Sequence, residues 1–271
     1  MTAEGADKAG KKGVLDDIVE TKRGEVWRLK SAPSYVRVPA GPRDIVRSAL
    51  RREPNTPLRL ICEIKRKSPS AGALSTKLGA PERAKLYVET GAAMVSVLTD
   101  EKFFGGSWHD LADVRMALPR TPVLAKEFIV DERQLVEAAS NGADAALIIV
   151  RIVERDALAD LVKTALHLRL EPLVEVVDED ELAAALSTDA KVIGVNARDL
   201  DTLAMDANRS ARVLSAIPSD RIAVHLSGLK TPADISAVAA TRADAALIGE
   251  SLMRQDDPRE LLASFVEAAA Q

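Results

Sequence analysis

Residues 58–65 read LRLICEIK and residues 92–99 read AAMVSVLT. Six more short apolar runs follow: PVLAKEF (122–128), DAALIIVRI (144–152), EPLVEVV (171–177), KVIGVN (191–196), RIAVHLS (221–227) and DAALIGES (244–251). Their apolar residues fall at consecutive rather than alternate positions, so each run reads as a strand buried on both faces. The segments between them, such as Pro81 to Thr90, Asp131 to Ser140, Glu154 to His167, Asp178 to Leu186, Asn208 to Ala216 and Thr231 to Ala240, carry apolar residues three and four apart. That is the spacing of a helix with one buried face. Right-handed crossovers put such helices outside a parallel sheet. Eight strands is the number that closes a barrel, so the expected fold is α/β, a (β/α)8 barrel, with an open doubly wound sheet as the alternative.

Local signals support the division. Ser107, Asp131, Asp178 and Thr231 stand where helix caps are expected, and GADAAL (142–147) and RADAAL (242–247) read as one helix-to-strand connection used twice, a weak internal repeat. Upstream, Val14 to Lys30 places Val14, Leu15, Ile18, Val19, Val26 and Leu29 at near-helical spacing. Pro33, Pro39, Gly41 and Pro42 punctuate a connection, and Asp44 to Arg52 reads as a second short helix ended by Pro54. The expected organisation is a disordered tail over residues 1–13 and one domain over 14–271 that includes the extension helices.

Composition narrows the function classes. With 47% hydrophobic and 29% charged residues the chain can build a sizeable core. A formal net charge of −4 offers no whole-molecule attraction for nucleic acid or an anionic membrane, although a local basic site stays open. The single cysteine, Cys62, excludes an intrachain disulfide and any multi-cysteine metal site, suits a cytoplasmic protein, and is expected to be a buried small hydrophobe. No stretch approaches the roughly 20 apolar residues of a membrane helix, and the start lacks the apolar core of a secretory signal. His109, His167 and His225 are scattered and form no metal triad; only His225 stands beside a strand end. No nucleotide-binding glycine fingerprint follows the first strand, so neither metal nor cofactor is expected.

In a barrel of this kind the chemistry sits at the C-terminal ends of the strands. The first strand closes with Glu63, Lys65 and Ser68, of which Glu63 and Lys65 are two apart and hence on one face. The third closes with Lys126, the fifth contains Glu175, and the sixth closes with Asn196 and Arg198. One such charge reads as a structural ion pair; charges at the tips of four strands read as a site, because burying them without use is costly. Ser227-Gly228 and Gly249-Glu250-Ser251 end the last two strands, where small residues let backbone N–H groups approach an anion. The expected ligand is therefore a small phosphorylated substrate, with Lys65 available to neutralise its charge.

These segments together resemble one known family. ICEIKRKSPS (61–70), VLTDEKFFGGS (97–107), PVLAKEFIVDE (122–132), LVEV (173–176), GVNARDL (194–200) and LIGESLMR (247–254) are similar, in this order, to indole-3-glycerol phosphate synthase, over nearly everything from Val14 onward. The resemblance implies a TIM barrel with an N-terminal helical extension over the C-terminal mouth. It implies a cofactor-free carboxy-lyase of tryptophan biosynthesis that converts 1-(2-carboxyphenylamino)-1-deoxyribulose 5-phosphate to indole-3-glycerol phosphate, carbon dioxide and water. It makes Lys126 the acid at the carbonyl oxygen, with Glu63 and Glu175 holding its charge. Lys65, Glu63 and Glu175 are the groups for dehydration, their roles left open. Asn196 and Arg198 would orient the sugar hydroxyls, Phe104 and Phe128 would flank the anthranilate ring, and Ser68, Ser227, Gly228, Gly249 and Ser251 would hold the phosphate.

The sequence departs from the pattern at Leu226, where the family usually carries glutamate before the Ser-Gly, and at Ala125 and Glu127, where arginine and aspartate are common. If the glutamate is merely missing, Leu226→Glu should preserve or raise activity; a loss would mean a pocket built around leucine. Leu226 also motivates the alternatives of a weakened or variant-substrate paralogue or a binding barrel. Phosphoribosyl anthranilate isomerase chemistry would need a cysteine and aspartate pair, and Cys62 alternates away from Glu63 and Lys65. A Schiff-base aldolase using Lys126 is separable by borohydride trapping. Contact with other tryptophan-pathway enzymes has no sequence feature that marks an interface.

Overall fold

The computed structural model of the chain describes residues 13–29, 44–69, 71–199 and 204–270. Residues 1–12 of the expected tail, the prolines of the 33–42 connection, Ser70 and Leu200 lie outside the described residues. The eight expected runs form eight parallel strands: β1 (Arg59–Ile64), β2 (Met94–Leu98), β3 (Val123–Lys126), β4 (Ala145–Ile149), β5 (Glu171–Val176), β6 (Val192–Asn196), β7 (Ile222–Leu226) and β8 (Ala245–Ile248). They close in sequence order, with β1 paired to both β2 and β8, so the barrel has no free edge and the open sheet is excluded.

Two apolar layers explain why the runs are apolar at every position. Ile61, Met94, Leu124, Leu147, Leu173, Val192, Val224 and Leu247 point inward and fill the barrel. Leu60, Cys62, Val95, Val123, Ala146, Val174, Ile193 and Ile248 point outward into the layer shared with the helices. Cys62 is fully buried there, and burial pushes its thiol pKa up, so it is an unreactive hydrophobe facing away from the barrel interior.

The outer helices are α3 (Ala80–Thr90), α4 (Trp108–Ala117), α5 (Glu132–Ser140), α6 (Arg155–His167), α7 (Glu179–Leu186), α8 (Ala207–Ala216) and α9 (Pro232–Ala239). A short α10 (Glu250–Met253), which starts within the last apolar run, and α11 (Arg259–Ala269) follow β8. All four expected caps form: Ser107, Asp131, Asp178 and Thr231 accept from the amides of Asp110, Arg133, Glu181 and Asp234. The internal repeat has a physical basis. Asp144 accepts from the amide of Val123 and Asp244 from that of Ala223, each 21 residues upstream, so each carboxylate ties the entry of its strand to the preceding strand.

The two N-terminal helices, α1 (Val14–Leu29) and α2 (Asp44–Leu50), go to opposite ends of the barrel. On α1, Val14, Leu15 and Ile18 line the mouth at the C-terminal ends of the strands, as expected for an extension over the site. In contrast, α2 closes the other end: Val46 and Leu50 join the inward layer, Arg47 pairs with Glu171 at the start of β5, and Arg51 donates to the carbonyls of Ser219 and Arg221 before β7.

Candidate active site

The alternation that sends Ile61, Leu124, Leu173 and Leu247 inward also sends Glu63, Lys126, Glu175 and Gly249 inward, one step nearer the mouth. Lys65 follows Glu63, and Asn196 follows Val192 and Gly194. Four strands thereby deliver five polar groups to one cavity. Glu63 Oε1 accepts from Lys65 Nζ at 2.7 Å, and Glu63 Oε2 lies 3.9 Å from Lys126 Nζ. Glu175 Oε2 faces the same ammonium at 3.7 Å, while its Oε1 accepts from Asn196 Nδ2 at 2.8 Å. Asn196 Oδ1 in turn accepts from Ser227 Oγ at 2.7 Å and from the amide of Arg198 at 3.0 Å. Both glutamates are 2% exposed, a burial that carboxylates tolerate only when paired in this way. Burial pushes the Glu63 carboxyl up, but the ammonium groups of Lys65 and Lys126 outweigh it and hold it below the ordinary carboxylate range.

Glycines make room for the network. A Cβ on Gly194 would come within 2.6 Å of Leu226 Cδ1 and 2.7 Å of Leu173 Cδ2, so this inward position cannot carry a side chain without moving the layer above. A Cβ on Gly249 would collide with Glu63 Oε1 and stand 3.1 Å from Lys65 Nζ. Gly249→Ala is therefore expected to displace the Glu63–Lys65 pair and lower kcat/KM by about 10- to 100-fold. Steady-state kinetics on the folded variant checks this, and wild-type values would show that the pair tolerates displacement.

The residues expected at the phosphate end are placed less uniformly. Ser68, Ser227, Gly228 and Gly249 line the cavity, with Ser227 and Gly228 in the left-handed region at φ 67° and 87°. Ser251 does not line it: its hydroxyl donates to the carbonyl of Leu229, leaving only its backbone to face an anion. Lys230 and Glu250, which the sequence reading did not name for this role, do line it. Arg198, just after β6, lines the cavity as well. Phe104 and Phe128 both reach the cavity, but their centroids are 5.6 Å apart, so they pack on each other as one aromatic wall rather than as two sides of a slot. His225 points outward: its Nε2 donates to the carbonyl of Ser227 at 3.1 Å, with Nδ1 facing Ser210, and it touches the site only through that backbone.

Sequence reasoning missed a second buried charge cluster beside the first. Lys22 of α1 reaches Asp100 after β2 and Glu127 after β3, at 2.8 and 2.9 Å. A signal existed, because Lys22 falls four residues after Ile18 and four before Val26, inside the apolar stripe. Burial opposes the charge on Lys22, yet the carboxylates of Glu127 and Asp100 prevail and hold its pKa above the ordinary value. Among the described residues, no group of three or more His, Cys, Asp or Glu is placed to hold a metal ion, and no helix is long and apolar enough to cross a membrane.

Comparison with known proteins agrees with the geometry. The family model for indole-3-glycerol phosphate synthase matches residues 15–265. The chain is 46% identical over 211 residues to "Indole-3-glycerol phosphate synthase 1" of Streptomyces coelicolor, covering 78% of each chain. It is 41% identical over 261 residues to the "Indole-3-glycerol phosphate synthase" of Mycobacterium avium, covering 94% of each. Among solved structures, thiamine phosphate pyrophosphorylase from Pyrococcus furiosus superposes with a TM-score of 0.59 at 13% identity, over 80% of this chain and 98% of that one; this shows a shared fold alone.

Proposed function

The chain belongs to the indole-3-glycerol phosphate synthase family, and we propose from this premise that its barrel mouth closes the indole ring of 1-(2-carboxyphenylamino)-1-deoxyribulose 5-phosphate. It is a carboxy-lyase of tryptophan biosynthesis acting on a small phosphorylated substrate. The observation that carries the reading is the placement of Lys126 Nζ between Glu63 and Glu175 at 3.9 and 3.7 Å, inside the cavity that Phe104 and Phe128 wall. Residues 14–271 act in this proposal as a single unit in the cytoplasm.

The chemistry needs three transfers, and the groups divide them. The ring carbon bearing the carboxylate attacks the ketone; Lys126 donates a proton to the carbonyl oxygen as the carbon–carbon bond forms. The carboxylate then leaves as carbon dioxide, and its electron pair returns to the ring, a loss of charge favoured by the apolar wall. The new hydroxyl leaves as water with a proton from Lys65, and Glu175 takes a proton from the former CH2 carbon beside the nitrogen, whose C–H electron pair becomes the double bond of the aromatic five-membered ring. Oε2 of each glutamate accepts no hydrogen bond, but Glu63 is paired through Oε1 with Lys65, the acid of this step, and its lowered pKa makes it the weaker base, so the role falls to Glu175. Ser227, Gly228, Ser68 and Lys230 would hold the phosphate, fixing the substrate by an end that does not react. Arg198 and Asn196 would orient the hydroxyls. Mixing the protein with this substrate should raise the fluorescence of indole-3-glycerol phosphate; tight binding without product would instead favour a variant substrate or a binding barrel.

Leu226 bears on that second reading. It is 1% exposed, pairs in register with Leu247 and fills the space above Gly194 beside Leu173. A carboxylate here would enter an apolar layer and add a third negative charge to two already sharing two lysines. Leu226→Glu is expected to lower the melting temperature by about 2–8 °C and to leave kcat no higher than in the wild type. Calorimetry and turnover on the same preparation check both; a rise in kcat would show a pocket still suited to glutamate.

A further inference from the structure

Packing alone would place an apolar residue at position 22, since Leu15, Ile18 and Val26 occupy the rest of the stripe that α1 buries. The structure instead puts an ammonium there, with the side chain 3% exposed, in reach of three carboxylates: Asp100 at 2.8 Å, Glu127 at 2.9 Å and Glu25 at 3.0 Å. Asp100 is fully buried, and its Oδ1 accepts from the amides of Phe103 at 2.6 Å and Phe104 at 3.0 Å, which fixes the turn after β2. That turn is tight enough that a Cβ on Gly106 would collide with the carbonyl of Leu98. Glu127 adjoins Lys126; its Oε1 accepts from the amide of Phe128 and its Oε2 from Thr99 Oγ1, both at 2.8 Å. A second tie runs from Lys102 Nζ to Thr21 Oγ1 at 3.0 Å. The loop after β1 joins the same assembly, because the amide of Lys67 donates to the carbonyl of Phe104 at 3.1 Å.

We propose that Lys22 is a positioning residue of the active site: the ammonium that α1 carries in ties the turn holding Phe104 to the backbone joining Lys126 and Phe128. Docking of the extension helix thus sets the aromatic wall and the catalytic lysine together. The inference rests on the function given above, and it differs from a purely structural role in where its effect falls. Loss of the tie displaces reacting groups by fractions of an ångström while the greater part of the phosphate end, Ser227, Gly228 and Lys230 after β7, stays put. Such misplacement lowers turnover more than binding.

Lys22→Met tests it, with Lys22→Arg beside it. The expected result for Lys22→Met is a folded chain whose kcat falls by about 10- to 100-fold with KM little changed, and whose amides at Phe103, Phe104 and Phe128 exchange hydrogen faster. Lys22→Arg, which keeps the charge, should recover most of the loss. Wild-type kcat and exchange in Lys22→Met would overturn the proposal, as would a loss of kcat in Lys22→Arg equal to that in Lys22→Met. Should Lys22→Met not fold, Glu127→Gln decides, because it leaves one buried carboxylate, Asp100, for the one buried ammonium. Its kcat is expected to fall at least about threefold, and an unchanged kcat would sink the idea. If the wild-type chain forms no product, the reaction assignment fails, and unchanged exchange at the three amides still rejects the tie.

Discussion

Lys126→Ala is expected to lower turnover by about 100- to 10,000-fold, the range a positioned general acid contributes, while substrate affinity stays within a few-fold. The argument is geometric. Lys126 Nζ is the cation that both glutamates face, at 3.9 and 3.7 Å, and its side chain is 18% exposed, open to the cavity. Removing it takes away the proton that the carbonyl oxygen needs, but leaves Glu63 paired with Lys65 at 2.7 Å and Glu175 accepting from Asn196. The network is shortened rather than broken, so the variant should fold. The phosphate groups lie on other strands. Product fluorescence and equilibrium binding, measured side by side, separate the roles. An equal loss in both would make Lys126 a binding group, and wild-type turnover would remove it from the mechanism.

Glu175→Gln should reduce kcat by about 100-fold or more through a different step. Glutamine can still accept from Asn196 at the position of Oε1, but it turns an amide NH2 toward Lys126, 3.7 Å from the present Oε2, and cannot take a proton. If Glu175 is the base that completes dehydration, ring closure and loss of carbon dioxide proceed, and a species heavier than product by one water accumulates in a single turnover. Mass spectrometry of the quenched reaction detects it. Lys126→Ala should show no such species, because its block precedes ring closure. Finding unreacted substrate alone in Glu175→Gln would move the glutamate's role to the first step.

The site was legible in the sequence where chemistry and strand period coincided. Glu63 and Lys65 two apart, Lys126 after PVLA and Glu175 inside LVEV could only point into a barrel, because the residues between them are apolar and face the helices. For Ser251 a short turn can aim a hydroxyl either way, and the carbonyl of Leu229, 22 residues earlier, takes the hydroxyl and leaves the backbone for an anion. Phe104 and Phe128 both reach the cavity, yet only their 5.6 Å separation shows one wall rather than a slot. Lys22 was passed over as one charge among many on an amphipathic helix, although its place in the stripe marked it.

By itself the sequence determined the eight strands, their direction of burial, the helix caps and the polar groups at the strand tips. These depend on periods of 2 and 3.6 residues and on local hydrogen bonding, which a linear reading contains. Tertiary structure alone decided that α2 closes the end opposite the mouth that α1 covers, that Lys22 joins Asp100 to Glu127, and that Leu226 completes an apolar layer above Gly194. Those facts are distances between residues far apart in the chain, and buried charges and close contacts are resolved only when every strand and helix around them is in place.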